Sequence, residues 1–492
     1  MGKYFFQHVK VINVHNTSYI YDANINKVCK LPERLDDDFE FSAHYIHSKQ
    51  FLYKPLIDQG FFHASNLQTI LHPYTHLTPE LLDICQNHLI LQVTHDCNLR
   101  CKYCCYSEIY DNRVRNDTSM NFSTARQSID KFIKNSRNAK TLTISFYGGE
   151  PLLCFDLVKE CVSYIEEKVR HKQVVFRMTT NATLLDQEKI EYLIEKNFLL
   201  LISLDGPEKI HDKHRVFPNN KGSYSVVMDN LRRIFEDNEK FFSTINFNSV
   251  ICDKADYYEI IEFYKNCDLF SRQGYDINAH LSVSSLSAGI DYPEFQKLLN
   301  NDHSTVTFRH KMNIYKSDKE RNIQKIIGCV STDSYLDVRI PRLYQRGIVK
   351  NLSVLEVAQR NKTPFLQKCE HPSGPCIPGC NKLMVDPNGV YWPCEKVNES
   401  EYKNSLGSLN AGIEIKKVNE LMNIAKRKEK SCINCWAIRY CGQCVANCSD
   451  NCGACETSKN SFLNILRTFI FTQTTRRMIM NDKYHHALEK FN

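Results

Sequence analysis

Between His88 and Val283 short apolar runs alternate with amphipathic stretches, and this alternation restricts the possible folds more than any other feature of the chain. Strands are expected at His88–Thr94, Leu142–Phe146, Val174–Thr179, Leu199–Leu204, Thr244–Ile251 and Ile277–Val283. Helices are expected between them at Ser123–Asn135, Phe155–His171, Asp186–Lys196, Ser223–Asp237 and Ala255–Cys267. Strands joined through a helix-length crossover run parallel. Such crossovers are right-handed, so six strands within residues 85–285 curl into a partial (β/α)6 barrel, short of the eight that close one. The expected class is therefore α/β, with reactive groups at the C-terminal ends of the strands.

Residues 1–84 read as a small α+β, winged-helix-like module. Strands are expected at Val9–Val14, Ser18–Tyr21 and Val28–Leu31, a turn at Asp22–Asn26, and helices at Leu35–Gln50 and Pro55–Phe62. Residues 286–365 form a bridging region without a repeat, residues 366–460 a cysteine-rich domain, and residues 461–492 a closing helix within the helical spacing of Asn460–Phe491. With 42% hydrophobic and 24% charged residues, 17 Gly and 15 Pro, the chain is neither collagen-like nor broadly disordered. It lacks a run of about 18 apolar residues and a signal-peptide core, so a soluble, cytoplasmic protein with no membrane partner is expected. A net charge of +7 without a long basic block argues against nucleic acid.

The chain holds 22 cysteines, eleven of them between Cys369 and Cys455. A reducing compartment does not turn them into disulfides, so metal explains them better. Cys97-x3-Cys101-x2-Cys104 directly follows the first barrel strand. Three thiolates on one loop can hold three irons of a cubane, leaving the fourth iron open to a small molecule. A structural zinc ion normally takes four ligands, often as C-x2-C pairs such as Cys432/Cys435 and Cys452/Cys455, and zinc remains the alternative for the C-terminal region.

The Cys97–Cys104 loop resembles the signature of the radical S-adenosylmethionine enzymes, with Tyr103 at the family's aromatic position, and the resemblance runs through residues 88–283. It implies a 4Fe-4S cluster on Cys97, Cys101 and Cys104 that binds S-adenosyl-L-methionine. Gly148-Gly149-Glu150-Pro151 would then bind the methionyl ammonium, Asn181 and Ser203 would contact the cofactor, and Arg215 would pair with its carboxylate. Read without the resemblance, the Gly-Gly-Glu-Pro segment is a turn and Arg215 a solvated loop residue.

The C-terminal cysteines are similar to the SPASM extension of those enzymes, an iron–sulfur domain. Cys376, Cys380, Gly389-x4-Cys394 and Cys432-x2-Cys435-x5-Cys441 follow its pattern, but only Gly442 and Gln443 separate Cys441 from Cys444 where the family has three residues. The resemblance implies two auxiliary clusters. Cys376, Cys380 and Cys394 would ligate one; Cys432, Cys435 and Cys441 would ligate the other with a downstream cysteine, leaving open the choice among Cys444, Cys448, Cys452 and Cys455. Glu395, directly after Cys394, would serve as a catalytic base as in the related sulfatase-activating enzymes, or is an ordinary surface glutamate.

The expected function is that of a peptide maturase: a 5′-deoxyadenosyl radical removes a hydrogen from a ribosomally made, Cys-rich precursor peptide, and a thioether joins sulfur to carbon. The implied partners are the precursor with its leader, bound by residues 1–84, and a low-potential electron donor such as ferredoxin or flavodoxin. The alternatives are an anaerobic sulfatase maturase, a carbon–carbon crosslinking or epimerising maturase and, from another class, a zinc or iron–sulfur scaffold.

Overall fold

The computed structural model describes residues 5–14, 16–104, 106, 116–253, 256–270, 276–283, 305–309, 365–371, 376–441 and 444–446, and scattered positions from 455 to 470. The chain opens with an antiparallel meander of β1 (Val9–Val14), β2 (Thr17–Asp22) and β3 (Lys27–Lys30). Helices α1 (Ala43–Ser48) and α2 (Gln50–Ile57) follow, closing over Phe41, Tyr53 and Phe62. The helix expected from Leu35 begins only at Ala43, where the Ser42 hydroxyl caps it by accepting from the Tyr45 N–H at 3.1 Å. The chain before it is committed elsewhere: the Asn13 side chain donates to the Leu35 carbonyl at 2.9 Å, and the Asn13 N–H donates to Asp37 Oδ1 at 2.8 Å. The second helix starts earlier than expected and carries Pro55 inside it.

After β4 (Thr69–Ile70) and α3 (Thr78–Ile84) come the barrel strands β5 (His88–Thr94), β6 (Thr141–Gly148), β7 (Gln173–Thr180), β8 (Leu199–Ser203), β9 (Asn246–Ile251) and β10 (Asp276–Val283). Each runs parallel to the next. The helices between them are α4 (Phe122–Lys134), α5 (Phe155–Lys168), α6 (Gln187–Glu195), a short α7 (Glu208–His214) that the sequence reading did not anticipate, α8 (Tyr224–Asp237), α9 (Glu239–Phe242) and α10 (Tyr257–Asn266). β11 (Thr305–Arg309) lies antiparallel on β10. Of the expected bridging region, only this strand and Phe365 fall among the described residues.

The sheet does not stop at β5. β12 (Cys369–Glu370) pairs with β4, and β13 (Leu383–Val385) lies parallel to β5 as a seventh parallel strand. β14 (Val390–Trp392), β15 (Gly407–Ser408) and β16 (Gly412–Ile413) then extend the sheet in antiparallel fashion to eleven strands. Alternation sorts the side chains of β5. Leu89, Leu91 and Val93 join the core under the helices, whereas Ile90 packs on the other face with Met384 and Trp392.

The opening meander also packs against the far end of the chain. Ile12, Tyr21 and Ala23 share a core with Ala437, Ile438, Phe462, Leu466 and Ile470. The last three follow the four-residue spacing of one helix face, and the rest of the expected closing helix lies outside the described residues. Buried Arg439 donates from Nε to the Ala23 carbonyl and from an Nη to the Asn24 carbonyl at 3.1 Å, and the Tyr440 hydroxyl donates to Asn26 Oδ1 at 2.9 Å. Among the described residues no helix is long and apolar enough to cross a membrane.

Candidate active site

The loop leaving β5 carries Cys97, Cys101 and Cys104, each half-buried and unbridged. Buried Leu99 anchors it. The Leu99 N–H points at the Cys97 sulfur at 3.4 Å and the Tyr106 N–H at the Cys104 sulfur at 3.5 Å. Donors aimed at sulfur favour thiolate and set the character of a cluster, so the loop suits iron–sulfur ligation. Its backbone is held from the other side: the Arg100 N–H reaches the Val216 carbonyl at 2.6 Å and the Lys102 N–H the His214 carbonyl at 3.0 Å. Among the described residues no three Cys, His, Asp or Glu side chains converge as the ligands of a single ion do. A cubane gives each thiolate its own iron and does not need that convergence.

Gly148 and Gly149 end β6 against this loop. A Cβ on Gly149 would stand 2.0 Å from the Asp96 carbonyl oxygen, and Gly148 has φ of +145°. Close passage of two strand ends thus requires both glycines: the Gly149 N–H donates to the Thr94 carbonyl and the Glu150 N–H to the Asp96 carbonyl, each at 2.9 Å. The Glu150 side chain turns inward and is fully buried. It accepts from the Asn181 N–H at 2.7 Å, the Thr180 hydroxyl at 2.7 Å and the Leu152 N–H at 3.1 Å. Burial raises its carboxyl to about 7 against the pull of these donors. Buried Pro151 opens a turn of 3-10 helix. The segment's backbone therefore lies against the start of the cysteine loop, while the Glu150 carboxylate ties β6 to β7.

Asn181, after β7, donates from Nδ2 to Asn98 Oδ1 at 2.9 Å and contacts the Cys97 sulfur at 3.7 Å, which places it on the cysteine loop. Ser203 ends β8 and is largely buried. The Tyr103 hydroxyl donates to Asp205, and Arg215 Nε donates to the same carboxylate oxygen at 2.9 Å. The Arg215 guanidinium lies 5.4 Å from the Tyr103 ring centroid. Far from being a solvated loop residue, Arg215 is 6% exposed.

The C-terminal cysteines fall into two groups. Cys432, Cys435, Cys441 and Cys455 line one cavity of about 780 Å³ beside Trp436, under the opening meander. Burial raises the Cys432 thiol to about 12, and the other three thiols add to that push. Cys376 and Cys394 are raised by burial too, Cys394 to about 11, and both feel the Cys444 thiol. Thiols held this high ligate when metal displaces the proton. The buried Cys380 thiol feels that of Cys376 and points at the Cys85 carbonyl at 3.2 Å and the Leu81 carbonyl at 3.7 Å, both from the end of α3. Cys369 on β12 is exposed. Cys448 and Cys452 lie outside the described residues.

Glu395 is neither an open surface residue nor a free base. Lys382 Nζ donates to its two oxygens at 2.7 and 3.1 Å. Burial pushes the carboxyl up, the ammonium pulls it down further, and the net effect holds it below the usual carboxylate range. That weakens it as a proton acceptor. Sequence reasoning missed Lys382, which β13 brings beside β5. It also missed an interior trio: Gln92, fully buried on β5, donates to the Tyr106 hydroxyl at 2.6 Å and to Glu399 at 3.2 and 3.4 Å. The even positions of β5, which carry Gln92 inward, were the available signal.

Residues 91–247 match the family model described as the Radical SAM superfamily. A cysteine-type anaerobic sulfatase-maturating enzyme of Clostridium novyi is 35% identical over 146 residues, 29% of this chain and 39% of that protein. The radical SAM cyclopropyl synthase TigE of Paramaledivibacter caminithermalis is 24% identical over 369 residues, 72% of this chain and 67% of that protein. The matched segments span 39% and 47% of the first two curated relatives. A solved structure described as native anSMEcpe with bound AdoMet superimposes with a TM-score of 0.54 at 18% identity, covering 79% of this chain and 99% of that one, which shows a shared fold. Over residues 91–247, then, this chain carries a radical SAM domain.

Proposed function

We propose that the chain is a radical S-adenosylmethionine enzyme that modifies a ribosomally made, Cys-rich precursor peptide by joining a cysteine sulfur to carbon as a thioether. The observation that carries this reading is the loop of Cys97, Cys101 and Cys104 at the barrel mouth, with backbone N–H groups aimed at two of its sulfurs. These thiolates would hold a 4Fe-4S cluster. Bound there with S-adenosylmethionine, the cluster supplies hydrogen-atom abstraction from an unactivated carbon.

The chain's own residues would bind and orient. The backbone at Gly148 and Gly149 would meet the methionyl ammonium, Arg215 its carboxylate, and Asn181 and Ser203 the remainder of the cofactor. Cys432, Cys435, Cys441 and Cys455 would hold one auxiliary cluster, while Cys376, Cys380 and Cys394 would ligate the other, with Cys444 beside them. A low-potential ferredoxin or flavodoxin would supply electrons. The leader would add as a strand to β3, an edge of the meander with Lys27 and Lys30 exposed.

Formylglycine formation is the second reading, supported by the identity to sulfatase-maturating enzymes. The Lys382–Glu395 ion pair weighs against it, because it occupies the acidic residue that would act as the base. Replacing Cys97, Cys101 and Cys104 together by Ala should remove about one four-iron cluster and all S-adenosylmethionine cleavage. Undiminished 5′-deoxyadenosine in that variant would refute the assignment. Mass spectrometry of a co-expressed Cys-rich precursor separates a loss of 2 Da, as a thioether requires, from formylglycine.

A further inference from the structure

We propose that Asp205 is a positioning residue for the cofactor: through a closed ring of buried hydrogen bonds it presents Arg215 to the S-adenosylmethionine carboxylate and locks that arginine to the cysteine loop. The proposal rests on the assignment of Arg215 to the carboxylate.

Asp205 is fully buried at the exit of β8. One carboxylate oxygen accepts from Arg215 Nε at 2.9 Å and from the Tyr103 hydroxyl, and the other accepts from the Val250 N–H on β9 at 2.9 Å. The cysteine loop, the residue that ends α7 and strand β9 thus meet on one side chain. Its own N–H donates to His211 Nδ1 at 3.3 Å. Burial lowers His211 to about 4, which leaves the imidazole neutral. With Nδ1 accepting, the proton sits on Nε2, which donates to the Ser223 hydroxyl at 3.0 Å. Ser223 in turn donates to the Arg215 carbonyl at 2.9 Å. The ring closes on Arg215, with its backbone gripped by Ser223 and its side chain by Asp205.

A guanidinium has five N–H donors, and Asp205 engages only Nε. The two Nη groups make no hydrogen bond among the described residues, which leaves four donors for an anion. A buried arginine without a fixed partner would swing or lose its charge compensation, whereas here a fully buried carboxylate supplies both charge and direction. Arg215 also lies between His214 and Val216, the two residues whose carbonyls hold the Lys102 and Arg100 N–H groups. Cofactor carboxylate and cluster loop are therefore referenced to the same few atoms.

The test uses the iron-loaded full chain and compares S-adenosylmethionine with decarboxylated S-adenosylmethionine, which lacks only the group Arg215 would grip. Asp205→Asn should raise the Kd for S-adenosylmethionine about tenfold or more, the loss of a charge-assisted contact. It should raise the Kd for the decarboxylated compound several-fold less. The change in the electron paramagnetic resonance spectrum of the reduced cluster on adding S-adenosylmethionine should require correspondingly higher concentration. Arg215→Gln should abolish the difference between the two compounds, and adding Asp205→Asn to it should cost little more. Equal weakening of both compounds, or an unchanged Kd for S-adenosylmethionine, would overturn the proposal and leave Asp205 a folding residue. Should Asp205→Asn fail to fold, Ser223→Ala decides: a smaller selective loss for S-adenosylmethionine supports the ring, and no selective loss overturns it. An unchanged Kd in Arg215→Gln would instead overturn the carboxylate assignment, and the proposal with it.

Discussion

Glu150 lies within the segment that, by resemblance, would bind the methionyl ammonium, yet its carboxylate faces three protein donors: the Asn181 N–H, the Thr180 hydroxyl and the Leu152 N–H. Glu150→Ala leaves these buried donors without an acceptor, at about 1–3 kcal/mol each. Even at the lower end this removes about 3 kcal/mol, which for a unit of barrel size lowers Tm by roughly 6–12 °C. Glu150→Gln keeps one carbonyl oxygen and should lose less. The charge adds a pH signature. Burial raises the folded carboxyl from 4.5 to about 7, so the folded state binds the proton more tightly than the unfolded chain. The wild-type stability contributed by this group is full below about 4.5 and is lost as pH rises through about 7. Glu150→Gln, which does not titrate, should flatten that slope. Thermal melts between pH 5 and 8, with cofactor binding measured on the folded protein, read both effects. A Glu150→Ala variant with unchanged Tm that has lost S-adenosylmethionine binding would refute the inward knot and turn the carboxylate toward the ligand.

Lys382→Met removes the ammonium that holds Glu395 low, so burial alone should carry its carboxyl upward; if Glu395 accepts the substrate proton, the acid limb of the kcat/KM profile moves to higher pH, and an unmoved limb excludes it. Arg439→Ala leaves the Ala23 and Asn24 carbonyls without their donor and should speed limited proteolysis between the opening meander and the barrel; unchanged cleavage would mean that the shared apolar core suffices. A leader N-methylated at alternate residues should lose affinity in one register and keep it in the other, because only every second N–H faces a pairing strand. Equal affinity in both registers would rule out strand addition on β3.

The barrel was legible because its signal is local and repeated. The Leu89, Leu91 and Val93 alternation and the amphipathic faces of α4, α5, α6 and α8 each declare their element without knowledge of the others. β13 was not legible: Leu383–Val385 is three residues long, and only its partner β5 makes it a strand. The same limit applies to the site. Three closely spaced cysteines announce a cluster loop, whereas Asp205 and Arg215 are ten residues apart on either side of the short helix α7 and share no spacing signal. The cysteine extension was legible as a composition, whereas the carbonyls that the Cys380 thiol meets come from a helix before the barrel, which no cysteine spacing announces.

What surrounds Cys380 and the opening meander is set by contact between segments that lie on either side of the barrel in sequence. α3 and β4, which precede the barrel, meet residues that follow it: the Thr78 hydroxyl donates to Asn419 Oδ1 at 2.7 Å, and the Thr69 hydroxyl to Glu429 at 2.6 Å. The opening meander does the same through Arg439. Such closure would let a leader-recognition element in residues 1–84, as proposed, lie close to the chemistry. The segment bearing Cys432 and Cys435 joins the apolar cluster that holds Tyr21 and Val28, so a strand added to β3 would run beside one proposed auxiliary cluster. Peptide capture and the C-terminal metal centre would then report on one another, and the meander would act as a wall of the catalytic unit rather than as an appended module.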